Sequence, residues 1–201
     1  MKLVVGLGNP GPRYRHTRHN AGFRVLEAVA VRAGAGAAES RFAGRYAEGM
    51  LAGERVGLLA PETFMNRSGE ALALALAALP SVDPAADLLV VLDDVDLPLG
   101  RLRLRASGRS GGHNGLADVL EHLATDAIPR LRFGIGRPEE PRDTVDFVLE
   151  IFAPAEETLL AEALPRAADA VACFLAEGIA AAMNRFNGPW PLDQAPPPSA
   201  G

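Results

Sequence analysis

The chain has 201 residues, of which 48% are apolar and 22% charged, as in an ordinary folded domain. Its formal charge of −5 excludes a protein that attracts nucleic acid or anionic lipid through its total charge. A lone cysteine, Cys173, excludes an internal disulfide and a cysteine-based zinc site, and no apolar run reaches the roughly 18 residues of a membrane span. The first residues also lack the apolar run of a signal peptide, so we expect a cytoplasmic protein that does not bind membranes.

Apolar runs bounded by turn residues predict strands, and apolar residues three or four apart predict helices. The stretch 22–33 shows the helical spacing, whereas arginine and leucine alternate strictly over 101–105. In chain order, the predicted elements are strand 2–7, helix 22–33, strands 46–51 and 56–60, helix 68–79, strands 87–92 and 101–105, helix 116–124, strand 131–135, and helices 155–164 and 167–186. Because strands and helices alternate, we expect one three-layer α/β domain over residues 1–186. The Pro-rich residues 187–201 are predicted to form a loose, disordered tail.

A glycine-rich segment, GLGNPG at residues 6–11, follows the first predicted strand. It matches the G-x-G-x-x-G pattern of dinucleotide-binding turns, but no helix begins at its third glycine. No acidic residue ends a second strand about 20 residues later, as such a site requires. We therefore interpret the glycines as a tight turn and expect no dinucleotide cofactor. Asn9 differs from them, because a carboxamide at a strand end can donate and accept hydrogen bonds and suits substrate positioning.

One histidine and three aspartates are candidates for acid–base chemistry. His19 lies in the segment TRHNAG before the first predicted helix, and an imidazole can serve as a general base near neutral pH. Asp93, Asp94 and Asp96 follow a buried strand. The aspartates admit three interpretations: a divalent-metal cluster, one carboxylate that orients a histidine, or a solvated turn.

Two further segments lie between a predicted strand and a helix. The glycine-rich SGGHNGL at 110–116 could hold an anion with its backbone N–H groups, and Asn114 could cap the helix, bind substrate, or do both. The segment PETFMNRSG at 61–69 has a comparable position, with a helix cap as its simplest interpretation.

A strip of positive charge occupies the stretch between residues 97 and 117, which has four arginines and no acidic residue. Alternation along the predicted strand puts Arg101, Arg103 and Arg105 on one face. Such a single-sign strip favours a polyanion, most commonly a nucleic-acid backbone. Four arginines later in the chain could extend the strip: Arg130, Arg132, Arg137 and Arg142.

Taken in order along the chain, six segments resemble the bacterial peptidyl-tRNA hydrolase family. They are VGLGNPG, TRHNAGF, PETFMNRSG, LDDVDLPLG, SGGHNGL and RLRFGIGRP. The resemblance extends along the chain to AMNRF near Asn184. It implies a monomeric α/β domain with a mixed, mostly parallel central sheet flanked by helices. It also implies that the protein acts in translation on peptidyl-tRNA, hydrolysing the ester between the peptide and the tRNA 3′ end without metal or other cofactor.

The resemblance implies roles for residues at matching positions. His19 is the implied catalytic base, Asp93 its partner, and Asn20 a support for the loop. The implied substrate-binding side chains are Asn9, Tyr14, Phe64, Asn66, His113 and Asn114. The implied tRNA phosphate contacts are Arg103, Arg105, Arg132 and Arg142. Leu92 and Ala117 depart from the family pattern, and we expect them to affect pocket polarity and tRNA binding respectively.

The sequence is also compatible with two other functions. A non-catalytic RNA-binding protein on the same fold would keep the basic surface without a full catalytic set. A metal-dependent hydrolase would use Asp93, Asp94 and Asp96 with a histidine, although no H-x-x-x-H or comparable ligand spacing accompanies them.

Overall fold

The computed structural model describes residues 1–138 and 143–189. Within them lie seven strands: β1 (Lys2–Gly6), β2 (Glu39–Arg41), β3 (Gly44–Leu51), β4 (Glu54–Pro61), β5 (Leu88–Asp94), β6 (Leu102–Arg105) and β7 (Arg130–Gly134). The helices are α1 (Ala21–Arg32), α2 (Ser68–Ala78), α3 (Asn114–His122), α4 (Thr144–Leu149) and α5 (Pro154–Phe186). Single 3₁₀ turns, Arg18–Asn20 and Met65–Arg67, lead into α1 and α2.

The strands form one sheet in the order β2-β3-β4-β1-β5-β7-β6. Its four central strands, β4, β1, β5 and β7, run parallel, and antiparallel pairs lie at both edges. Parallel strands are covered on both faces, which explains why β5 reads as an unbroken apolar run before its two aspartates. The predicted mixed sheet is confirmed, with its parallel pairing concentrated in the centre.

Helices cover both faces of the sheet. Side chains of β1 alternate between the two resulting cores, with Val4 on the side of α1 and α5 and with Leu3 and Val5 on the side of α2 and α3. Each face therefore buries its own apolar layer, and the predicted three-layer architecture is confirmed.

Helix α5 differs from the prediction, which placed two helices on either side of Pro165. The helix continues through Pro165, and its backbone is interrupted instead at Gly178, where φ is 84°. Ala163 and Ala167 are fully buried on either side of the proline, so packing holds the helix together there. Glycine adopts a positive φ without steric penalty. Although α5 is 33 residues long, no described helix is long and apolar enough to cross a membrane.

Asn187, just past α5, binds the outermost strand β6 with its side chain. Its Oδ1 accepts a hydrogen bond from the backbone N–H of Leu104 at 2.7 Å, and its Nδ2 donates to the carbonyl of Leu104 at 3.1 Å. The side-chain amide of Asn187 thus makes the two hydrogen bonds to the backbone N–H and carbonyl of Leu104 that a neighbouring strand would make. Residues 190–201 of the predicted tail lie outside the described residues, and the domain boundary at 186 stays a prediction.

Candidate active site

A cleft of about 420 Å³ opens at the carboxyl end of β5. In sheets with parallel strands this edge gathers functional groups, because loops from neighbouring strands meet there. The cleft lies between the glycine-rich loop that precedes α3 and the short helix α4. Its lining residues are His19, Asp93, Asp94, Val95, Asp96, Gly111, Gly112, His113, Asn114, Arg132, Thr144, Val145 and Val148.

His19 and Asp93 are in direct contact. The Nδ1 atom of His19 lies 2.9 and 3.0 Å from the two carboxylate oxygens of Asp93, which is only 3% exposed at the end of β5. Because an ionised carboxylate can only accept hydrogen bonds, the His19 Nδ1–H donates to it. The other ring nitrogen, Nε2, is then left to accept a proton.

A second imidazole shares the same carboxylate. Nε2 of His113 lies 2.9 Å from Asp93 Oδ1, and Nδ1 of His113 accepts a hydrogen bond from the backbone N–H of Leu116 at 3.2 Å. Since Nδ1 accepts, the proton of the neutral ring is on Nε2 and is donated to Asp93. The first turn of α3 therefore selects the tautomer of His113, and Asp93 receives a hydrogen bond from each histidine.

The two histidines determine the charge of Asp93. Burial by itself would raise the pKa of the carboxyl group, but attraction to and a hydrogen bond from His113, together with those from His19, outweigh it. The pKa of Asp93 is consequently held well below its usual range. Asp93 is therefore ionised at neutral pH, where it can orient His19 and stabilise the imidazolium that forms when Nε2 takes a proton.

The loop after β1 is held by a reciprocal pair of asparagines. The backbone N–H of Asn9 donates to Asn20 Oδ1 at 2.8 Å, and Asn20 Nδ2 donates to the Asn9 carbonyl at 3.0 Å. The expectation that Asn20 supports the loop is confirmed. The side chain of Asn9 accepts a hydrogen bond from the backbone N–H of Met65 at 2.9 Å, which joins this loop to the turn before α2.

A family model described as peptidyl-tRNA hydrolase matches residues 3–194. The chain belongs to the peptidyl-tRNA hydrolase family. A peptidyl-tRNA hydrolase from Synechococcus sp. (strain JA-3-3Ab) is 54% identical over 198 residues, covering 98% of this chain and 86% of the relative. One from Chloroflexus aggregans is 50% identical over 93% of this chain and 99% of its own. The crystal structure of peptidyl-tRNA hydrolase from Acinetobacter baumannii has a TM-score of 0.83 at 36% identity, covering 94% of this chain and 95% of that one.

The residues expected to bind substrate in this member of the peptidyl-tRNA hydrolase family are not all in one place. His113 and Asn114 line the cleft together with His19 and Asp93. Asn9 lines a neighbouring cleft of about 380 Å³. The remaining three residues line neither cleft. Phe64 and Asn66 are exposed, and Tyr14 is half-buried.

The predicted phosphate contacts also separate. Arg103 and Arg105 are exposed on β6 while the leucines between and before them are fully buried, which confirms the predicted alternation. Arg132 lines the cleft instead, with Nη1 3.2 Å from Asp94 Oδ2 and Nη2 donating to the Ser110 carbonyl at 3.1 Å. Arg142 lies outside the described residues.

Arg130 does not extend the basic strip, and that prediction is wrong. The residue is only 2% exposed. Its guanidinium donates to the backbone carbonyls of Ile128 and Gly108 at 2.6 Å and of Asp126 at 3.2 Å. Arg130 is directed into the protein, where it fixes the loops on either side of α3.

The three aspartates at the end of β5 are divided among different partners. Asp94 pairs with Arg132, and Asp96 pairs with Arg137 at 2.5 Å. Among the described residues, the only group of three side chains close enough to share a metal ion is a different one, formed by Asp93 with the two histidines, its ligand atoms within 4.8 Å of one another. Asp93, Asp94 and Asp96 therefore do not form the metal cluster that was one of the three interpretations of this segment.

Two features of the cleft depart from the sequence prediction. Thr144, Val145 and Val148 form one wall of it from α4, a helix that the sequence analysis missed. The N-cap Asp143, which accepts from the Val145 N–H at 2.9 Å, is the local signal that could have indicated this helix. Leu92, expected to affect the polarity of the pocket, is fully buried in the core beneath α2 and α3 and does not line the cleft.

Proposed function

We propose that this protein hydrolyses the ester bond of peptidyl-tRNA, with His19 as the general base. The observation that carries the proposal is the contact between His19 Nδ1 and the buried carboxylate of Asp93 at the edge of a cleft. It supplies an oriented base with a free Nε2, the requirement for activating water.

In the proposed reaction, Nε2 of His19 removes a proton from a water molecule whose oxygen attacks the ester carbonyl. The negative charge of Asp93 stabilises the resulting imidazolium. When the tetrahedral intermediate collapses, the imidazolium returns its proton to the leaving ribose oxygen, which yields free tRNA and a peptide carboxylate. The side chains of Asn9 and Asn114 and the backbone N–H groups near them are the proposed donors to the oxyanion.

A defined peptidyl-tRNA in single-turnover hydrolysis, with and without EDTA, tests the reaction class. We expect hydrolysis by the wild-type protein at the same rate in both conditions. Loss of hydrolysis in EDTA, with recovery on adding a divalent metal, would favour a metal-dependent hydrolase. Binding of the RNA with no hydrolysis in either condition would favour a non-catalytic RNA-binding protein.

For tRNA binding, we propose that the exposed arginines of β6 contact backbone phosphates. Replacing Arg103 and Arg105 together by Ala should weaken tRNA binding. The slope of log affinity against log salt should become shallower by about 2, because each lost phosphate contact removes about one unit. Fluorescence-anisotropy titrations at several salt concentrations would measure both quantities.

The matched control is Arg55→Ala, because Arg55 is exposed but pairs with Glu48 on β3, at the opposite side of the sheet. This variant should keep the wild-type salt slope. An unchanged slope in the Arg103/Arg105 double variant would move the tRNA surface elsewhere on the protein.

We further propose that the protein acts as a monomer in the cytoplasm, with residues 1–186 as the catalytic domain. In support of the domain bounds, every residue that lines the cleft lies between His19 and Val148. Light scattering at working concentration should give a molar mass near that of one chain, and a dimer mass would contradict the proposal.

A further inference from the structure

The residue next to His19 is a buried arginine. The Arg18 side chain is 8% exposed and forms a two-pronged ion pair with Glu156 in the first turn of α5, with both N–O distances at 2.8 Å. Its Nη1 also donates to the carbonyl of Ile135, just past β7, at 3.3 Å. A bidentate guanidinium–carboxylate pair fixes orientation as well as distance.

The same guanidinium packs against two aromatic rings, one in α4 and one in the connection between α4 and α5. Its central carbon lies 4.4 Å from the ring centre of Phe147 in α4 and 4.9 Å from that of Phe152. The Arg18 backbone N–H donates to the carbonyl of Glu150 at 2.9 Å. Arg18 therefore contacts α4, the start of α5 and the connection between them.

This arrangement matters because His19 sits on a 3₁₀ turn of only three residues, Arg18–Asn20, which has no side-chain cap. So short a turn has too few internal hydrogen bonds to fix its own geometry. Both neighbours of His19 are buried and bonded to distant segments, Asn20 to the loop after β1 and Arg18 to α5. The imidazole is thus held between two anchors.

Helix α4 supplies the wall of the cleft formed by Thr144, Val145 and Val148. Through Phe147, Arg18 joins this wall to the turn that carries the base. We propose that Arg18 and Glu156 are positioning residues for the hydrolysis, which fix the distance between His19 and the α4 wall. The inference rests on the proposed function of His19.

Three variants test the pair: Arg18→Met, Glu156→Gln and the double variant. Each single change should lower kcat by about 10- to 100-fold with KM within about threefold, since a displacement of about 1 Å at a base can reduce the rate 100-fold. The double variant should be no slower than the slower single one, because the two side chains act as a unit. Arg18→Lys should recover little activity, because one ammonium group cannot replace two parallel hydrogen bonds.

The matched control is Glu157→Gln, which breaks the neighbouring bidentate pair of Arg24 and Glu157, with N–O distances of 2.8 and 2.7 Å. This pair joins α1 to the same turn of α5. The Arg24 side chain also lies over Phe152, 5.6 Å from the ring centre, but its hydrogen bonds go to Glu157 and not to Arg18–Asn20. Glu157→Gln should leave kcat unchanged, and it should lower the melting temperature less than Glu156→Gln, because Glu157 is more exposed and Glu156 also accepts a hydrogen bond from the Ala153 N–H at 2.7 Å. Kinetics are measured well below the melting temperature of every variant.

Three results would overturn the inference: wild-type kcat in folded Arg18→Met and Glu156→Gln, an equal loss of kcat in Glu157→Gln, or a loss that vanishes at the pH plateau of kcat. A loss that vanishes at the plateau would mean that Arg18 changes the pKa of His19 and does not position its ring. Failure of the proposed function gives a different result, namely no hydrolysis by the wild type or full hydrolysis by His19→Ala.

Discussion

Replacing His19 by Ala is expected to lower the single-turnover rate of peptidyl-tRNA hydrolysis by about 10²- to 10⁴-fold, the usual contribution of a general base. The Ala variant keeps the cleft, the arginines of β6 and the ionised Asp93, so the affinity for tRNA should change little. What it lacks is a proton acceptor beside the attacking water. Rapid-quench measurements at saturating enzyme would separate the chemical step from binding.

Two histidines outside the cleft provide controls for this prediction. His16 is exposed three residues before His19, and His122 lies at the end of α3 beside Asp118. His16→Ala and His122→Ala should hydrolyse the substrate at nearly the wild-type rate. Near-wild-type hydrolysis by His19→Ala would instead show that another group activates the water.

The second large effect is expected for Asp93→Asn, with a loss of about 10³- to 10⁴-fold in kcat. Both histidines donate to Asp93, but an amide has only one oxygen to accept with. If its NH₂ group faces His19, Nδ1 must accept and the proton of the neutral ring moves to Nε2. The atom that should take a proton from water then already carries one.

Asp93→Asn also allows a test on the fold itself. Because folding lowers the pKa of Asp93, the ionised carboxylate stabilises the native state above the carboxyl pKa of the unfolded chain, about 3.9. That stabilisation is lost as the pH falls from there towards the lower pKa of the folded state. Urea unfolding should therefore show a gap in unfolding free energy between wild type and Asp93→Asn at neutral pH that narrows in acid. A gap that widens in acid would contradict the lowered pKa.

Much of the architecture followed from local patterns in the sequence. The alternation of arginine and leucine in β6 predicted which side chains are exposed, because successive strand residues point to opposite faces. The apolar run of β5 likewise indicated a strand buried on both sides. These signals are local, so the sequence contains them in full.

The contacts of the site could not be predicted in the same way. His19 and Asp93 are 74 residues apart, and their contact was expected from the family resemblance and not from their spacing in the sequence. Arg18 and Arg130 look like surface arginines in the sequence, since nothing near them indicates burial. Arg18 pairs with a glutamate 138 residues away, and Arg130 donates to the carbonyl of Gly108, 22 residues before it; only the folded chain brings these groups into contact.

The hydrogen bonds between Asn187 and Leu104 set a limit on how far the protein can be shortened. A truncation after residue 186 would leave the peptide groups of Leu104 without this partner, on a strand whose outer edge has no neighbouring strand in the described sheet. Open edges of this kind recruit strands from other copies of the same chain. In a shortened form of this protein, the presence or absence of the Asn187 side-chain amide would therefore determine whether the protein self-associates through the edge of β6.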